Sequence, residues 1–376
     1  MLTSKTFRSV ALGLFLLSCG GDEADQGNDA NALAASFGPA YPQLRSTGTW
    51  SFVPVLGMTC ADGSATGIGI NLASRSSGRL LIYLEGGGGC WDARTCKDSF
   101  HVRNANLNGF DATTLEEVMV TGSSRYVPAI PVNYGALGIW DRSSAGNPFR
   151  NDDYVYIPYC TADFHAGDLS PSPMDGLSHV GYRNMTRALA YLSTRFAAES
   201  QKQVVLCGGS AGGFGALWNF SQTQAAFGAI PVTLVAESGP PLPAPFLSAE
   251  LEEAWRFAWG LDGTKSAAAP STHLFPYAQW IARTYPSHKL AFVEMTGDVA
   301  VALFLGIPVV GANSLSNGLF SLRQQLARTA PNVSFFFIPS SVHTVIHEPP
   351  ATWPAPFPPY GNSNLSLSRW LERELL

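Results

Sequence analysis

Short apolar runs recur along this 376-residue chain, and each stops at a turn or at a residue with chemistry of its own. Leu80-Leu81-Ile82-Tyr83-Leu84 runs into Glu85 and four glycines. Tyr154-Val155-Tyr156-Ile157 stops at Pro158. Val204-Val205-Leu206-Cys207 stops at a glycine-flanked serine, and Val232 to Ala236 stops at Glu237. Leu290 to Val293 stops short of Asp298, and Val333 to Ile338 ends before His343. The runs are continuous rather than alternating, which predicts parallel strands covered on both faces. Between them lie helical stripes. Tyr182, Met185, Leu189, Leu192 and Phe196 fall three or four apart, as do Leu319, Leu322 and Leu326. Strand–helix alternation of this kind predicts an α/β sheet with right-handed crossovers, whose active residues gather at the carboxyl ends of the strands. Between Pro240 and Pro286 the pattern loosens around Trp255, Trp259 and Trp280. That stretch reads as a helical or loop-rich insertion, either a lid or a part of the core.

The serine turn is the most informative of these strand ends. Gly208-Gly209-Ser210-Ala211-Gly212 fits G-x-S-x-G, with a strand before it and the helix-like Phe214, Leu217 and Trp218 after it. This is the context of a nucleophile elbow. A serine hydroxyl needs a base, and in such folds the chain order is Ser, acid, His. His343, just past the last strong strand, is the first choice for the base, and His347 the weaker one. Asp298, after Met295-Thr296-Gly297, is the first choice for the acid, with Glu237 as the alternative. Glycines 86 to 89 leave backbone N–H groups open to an oxyanion, and Ala211 would add another. A phosphate loop is a poor reading of these glycines, because no Gly-Lys-Ser/Thr follows them.

Composition narrows the class further. Hydrophobic residues make up 46% and charged residues 14%, enough for a sizeable core. A net charge of −5 gives no electrostatic reason to expect nucleic acid as a partner. No Cys pair has a zinc spacing, and neither a metal nor an organic cofactor is expected.

The amino terminus reads as a targeting segment. Lys5 and Arg8 precede a short apolar run that ends in Leu16-Leu17-Ser18-Cys19, which resembles a bacterial lipobox. The reading is a signal peptide over 1–18, lipidation at Cys19, a flexible tether over 19–40, and a catalytic domain over 41–376. It implies export with membrane attachment through lipid alone, at the outer membrane or cell surface. An exported chain should form disulfides. Setting Cys19 aside leaves two pairs and one thiol, and Cys207, inside an apolar run, is the expected buried free cysteine.

Several motifs together resemble the pectin acetylesterase/Notum family. They are Leu84-Glu85-Gly86-Gly87 followed by Cys90 and Cys96, Cys60-Ala61-Asp62-Gly63-Ser64, Ile157-Pro158-Tyr159-Cys160, and Gly209 through Gly215. The likeness runs in one order from about Thr59 to His343. It implies an α/β-hydrolase-like fold, a triad of Ser210, Asp298 and His343, and oxyanion donors at Gly87, Gly88 and Ala211. Cys90–Cys96 would close a short loop beside the oxyanion glycines. The resemblance, together with elimination, implies Cys60–Cys160. Gly88 stands where family members often carry an aromatic residue, so the pocket wall should differ there. The expected function is serine ester hydrolysis, removing a short acyl group such as acetyl from a polysaccharide. The alternatives are deacylation of longer chains on lipid or protein, and a binding lipoprotein without turnover.

Overall fold

β-branched and aromatic residues crowd the strand segments, and glycine or proline punctuates their ends. The computed structural model describes residues 47–121, 134–196, 201–264, 269–354 and 365–375. The proposed signal peptide, tether and Cys19 lie outside the described residues. Eight strands form one sheet in the order β1-β2-β4-β3-β5-β6-β7-β8. They are β1 (Ser51–Thr59), β2 (Ala65–Asn71), β3 (Arg79–Leu84), β4 (Asp153–Ile157), β5 (Gln203–Gly209), β6 (Val232–Glu237), β7 (Leu290–Met295) and β8 (Val333–Ile338). From β4 through β8 neighbouring strands are parallel, while β1 and β2 pair antiparallel and β2 meets β4 antiparallel. This is the mainly parallel, helix-flanked sheet expected from the run pattern. The β1–β2 hairpin was not foreseen, because Pro54, Gly57, Gly67 and Gly69 interrupt its apolar pattern.

The central strands are buried along nearly their whole length, and successive side chains enter opposite cores. Leu80, Ile82 and Leu84 join one core, and Leu81 and Tyr83 join the other. The helices in chain order are α1 (Ala112–Glu116), α2 (Gly181–Arg195), α3 (Ala211–Trp218), α4 (Phe220–Phe227), α5 (Ala249–Trp259), α6 (Leu274–Thr284), α7 (Val299–Phe304), α8 (Leu315–Ala327) and α9 (Leu367–Glu374). The predicted stripes of α2 and α8 bury Met185, Leu189 and Leu192, and Leu319, Leu322 and Leu326. The second face is covered less regularly. Phe110, Trp140 and Phe149 come from loops and short helical turns, and Trp370 comes from α9.

The insertion between β6 and β7 is core rather than lid. Trp255 and Trp259 on α5 are fully buried and stack on each other at 5.5 Å. Trp259 donates its indole N–H to the Cys90 carbonyl at 2.7 Å, so α5 backs the glycine loop after β3. Two disulfides are present, Cys60–Cys160 and Cys90–Cys96, and Cys207 is a buried free thiol.

Candidate active site

Because β3, β5, β7 and β8 run parallel, their carboxyl ends open on one side of the sheet. Ser210 follows β5 directly and adopts φ 57°, ψ −123°, a left-handed conformation that serine rarely accepts. The turn is held by its surroundings. A Cβ at Gly208 would strike the Gly212 carbonyl, and one at Gly212 would strike the Leu84 carbonyl. Only glycine at both positions lets the elbow fold back on itself and pack on β3. The Ser210 N–H donates to the Glu237 carbonyl of β6 at 2.8 Å.

The structure brings Ser210, His343 and Asp298 together. His343 Nε2 lies 2.8 Å from Ser210 Oγ, and its Nδ1 lies 2.7 Å from Asp298 Oδ2. Asp298 is buried and also caps α7, accepting from the Val301 N–H through Oδ1 at 3.0 Å. Both carboxylate oxygens are therefore directed. Pairing of β7 and β8 continues into their loops: Thr296 donates to Ile338 and Gly297 to Ser340, which draws the Asp298 and His343 segments together.

The other two acid–base candidates lie elsewhere in the network. Glu237 does not reach the imidazole; its Oε1 accepts from the amides of Val345 and Ile346 at 2.6 and 3.0 Å. Burial pushes its carboxyl up to about 7, and those two amides hold it back. His347 meets the buried Tyr83 hydroxyl through Nε2 rather than Ser210. Burial pushes its imidazole down to about 4, so it is neutral near neutral pH.

The glycine loop after β3 lies beside the serine. Gly86, Gly87, Gly88, Ser210 and Ala211 line one cavity of about 870 Å³, and His343 lines it as well. Among the described residues no carbonyl accepts from the amides of Gly87, Gly88 or Ala211. Gly88 has φ +84°, and a Cβ there would strike the His101 carbonyl. No aromatic side chain fits at that position, which accounts for the glycine. Glu85, which the sequence marked as a strand end and a motif member without a role, is the loop's anchor. Its Oε2 accepts from the Tyr159 amide at 2.7 Å, and its carbonyl accepts from His165 Nε2 at 2.8 Å. His165 is itself placed by a turn around buried Asp163, which accepts from the amides of His165, Gly167 and Gly181. The signal that could have found Glu85 is a lone acid closing an otherwise apolar run.

The remaining wall is largely apolar, with Phe100, Met119, Trp140, Phe164, Phe214 and Phe304 among its residues. Cys90, Cys96 and His179 lie close enough together to suggest a metal group, but both sulfurs are spent in the disulfide.

Known proteins resemble this chain in sequence and in fold. Human "Palmitoleoyl-protein carboxylesterase NOTUM" is 30% identical over 188 residues, which is 48% of this chain and 34% of that protein. The chain spans about a third of the length of such carboxylesterase relatives. Zebrafish "Inactive palmitoleoyl-protein carboxylesterase notum1b" is 30% identical over 128 residues, 34% of this chain and 77% of that protein. The crystal structure of the Wnt deacylase Notum from Drosophila superposes with a TM-score of 0.58 at 22% identity, covering 87% of this chain and 93% of that one. It shows that the fold is shared. The pectinacetylesterase family model matches residues 53–266, more than half of the sequence, and the chain belongs to that family.

Proposed function

We propose that the protein is a serine carboxylic ester hydrolase working through an acyl-enzyme. The observation that carries this reading is the continuous chain Ser210 Oγ–His343–Asp298, at 2.8 and 2.7 Å, on a strained elbow open to a cavity. Ser210 attacks the ester carbonyl while His343 Nε2 takes its proton. Asp298 keeps the Nδ1–H directed and stabilises the imidazolium. The amides of Gly87, Gly88 and Ala211 receive the oxyanion. His343 then protonates the departing alcohol, and water repeats the sequence in reverse to free the acid.

The binding-protein alternative is disfavoured by this arrangement, since a binder has no use for a strained serine in contact with an oriented histidine. The inactive zebrafish relative shows that family likeness alone does not assure turnover. On acyl size, the aromatic wall and the volume of about 870 Å³ favour a longer chain over the acetyl group expected from sequence. The palmitoleoyl-protein carboxylesterases named among its relatives support the same direction.

The two disulfides support a place of work outside the reducing cytosol. No helix among the described residues is long and apolar enough to cross a membrane. Attachment through Cys19 is part of the proposal, and Cys19→Ser should release the protein from the membrane fraction on cell fractionation.

The test is labelling with a fluorophosphonate, followed by a p-nitrophenyl ester series from acetate to palmitate. Wild type should label at Ser210, and Ser210→Ala should lose at least about three orders of magnitude in kcat while still folding. Labelling at another residue, or activity in Ser210→Ala within about tenfold of wild type, would sink the assignment. A rate maximum at acetate would return the acyl preference to the short chain.

A further inference from the structure

Glu237 is fully buried at the end of β6, between the two halves of the site, and the mechanism above gives it no part. Its main chain and its side chain point to different halves. The carbonyl receives the Ser210 N–H at 2.8 Å, and β5–β6 register sets it opposite Gly209. The Oε1 atom receives the amides of Val345 and Ile346, two and three residues past His343. The next residue repeats the pattern: Ser238 donates its hydroxyl to the His343 carbonyl, and its own amide is tied to Val293 of β7. The segment after β8 has no strand of its own to hold it, so these bonds, with those from Gly297 to the Ser340 carbonyl, from Ile139 to the Ile346 carbonyl and between Asp298 and His343, hold the imidazole above the elbow.

We propose that Glu237 is a positioning residue, whose backbone holds the nucleophile turn and whose carboxyl holds the histidine loop, so that one residue sets the Ser210–His343 separation. This inference rests on Ser210 acting through His343.

The setting of the carboxyl adds a pH dependence. Tyr83 of β3, Cys207 of β5, Glu294 of β7, Asp298 and the His343 loop are the titratable groups facing it. Tyr83 and Cys207 are pushed far up by burial and stay neutral, and Glu294 is pushed up in the same way. Asp298 opposes ionisation of Glu237, and His343 favours it. Burial keeps Glu237 protonated up to about pH 7, and above that its charge faces the imidazolium that forms during attack.

The experiment compares Glu237→Met and Glu237→Gln with wild type, using p-nitrophenyl butyrate for kcat and KM and a fluorophosphonate to count reactive sites. Met keeps the volume and removes the acceptor. It should lose about a hundredfold in kcat per reactive site with KM within about threefold. Gln keeps an acceptor oxygen and should recover most of that loss at about pH 5.5, then fall about tenfold behind wild type at about pH 8.5. A Met variant with wild-type kcat overturns the proposal. If the Met chain does not fold, the Gln variant decides: a ratio to wild type that is constant across pH overturns the proposal, and one that falls with pH sustains it. Wild type that fails to label with the fluorophosphonate overturns the hydrolase reading, and this inference with it.

Discussion

Asp298 Oδ2 lies 2.7 Å from His343 Nδ1 across 45 residues of chain. The contact exists because β7 and β8 are parallel neighbours and their loops stay paired beyond the sheet. It also separates Asp298 from Glu237, the other acid at a strand end. Asp298 touches the ring; Glu237 touches the backbone beyond it.

Asp298→Asn should therefore be far more damaging than Glu237→Gln in one ester assay near neutral pH. The amide can still cap Val301, but its NH₂ can face Nδ1, favouring the tautomer that cannot take the Ser210 proton. The expected loss in kcat is about 10³- to 10⁴-fold. Glu237→Gln keeps its acceptor and should stay within about tenfold. The reverse order would mean that the acid acts from β6.

Glu237 should also make stability depend on pH. Its carboxyl is raised from an ordinary 4.5 to about 7 by burial. A group whose pKa rises on folding contributes stability that is present below the unfolded value and lost as pH climbs through the folded one. Wild type should lose roughly 1–3 kcal/mol from this group between about pH 4.5 and pH 7. Glu237→Gln carries no such loss. Melting curves at about pH 5 and pH 8.5 should show the variant gaining on wild type at the higher pH. An unchanged Tm difference would mean that the carboxyl ionises as freely in the fold as outside it.

Gly88→Ala should disrupt the proposed oxyanion loop. The new Cβ meets the His101 carbonyl at a left-handed backbone position, so the loop must shift. A loss of about a hundredfold in kcat is expected, with KM changed less. Normal turnover would show that Gly88 is not among the donors.

Removing Cys60–Cys160 should cost far more than removing Cys90–Cys96. The two bridges close separations of 100 and 6 residues. Loop-closure entropy assigns about 4–5 kcal/mol to the long loop and substantially less to the short one. Denaturant titration of the paired Cys→Ala variants measures both. The short bridge should register instead in catalysis, since it lies beside the loop of glycines 86 to 89. Equal stability losses would contradict the assignment of the long bridge as the main covalent brace.

The parallel strands were legible because each is a continuous apolar run, and burial on both faces demands that pattern. Ser210 was legible because a strained turn between a strand and a helix requires glycine at Gly208 and Gly212, and few other uses of a serine do. His343 and Asp298 could be chosen by chain order, since parallel strands send their ends to one side. The β1–β2 hairpin was hidden by its own glycines, and the second face of the sheet by the irregular segments that cover it. Whether α5 was lid or core could not be read locally, because a buried tryptophan and an exposed one look alike in sequence. Contacts across the sheet decided it: Trp259 binds the Cys90 carbonyl 169 residues away. The part played by Glu237 was beyond the sequence for the same reason. An acid at a strand end is visible, but the amides that claim its oxygen lie 108 and 109 residues further on, and only folding brings them within hydrogen-bond reach.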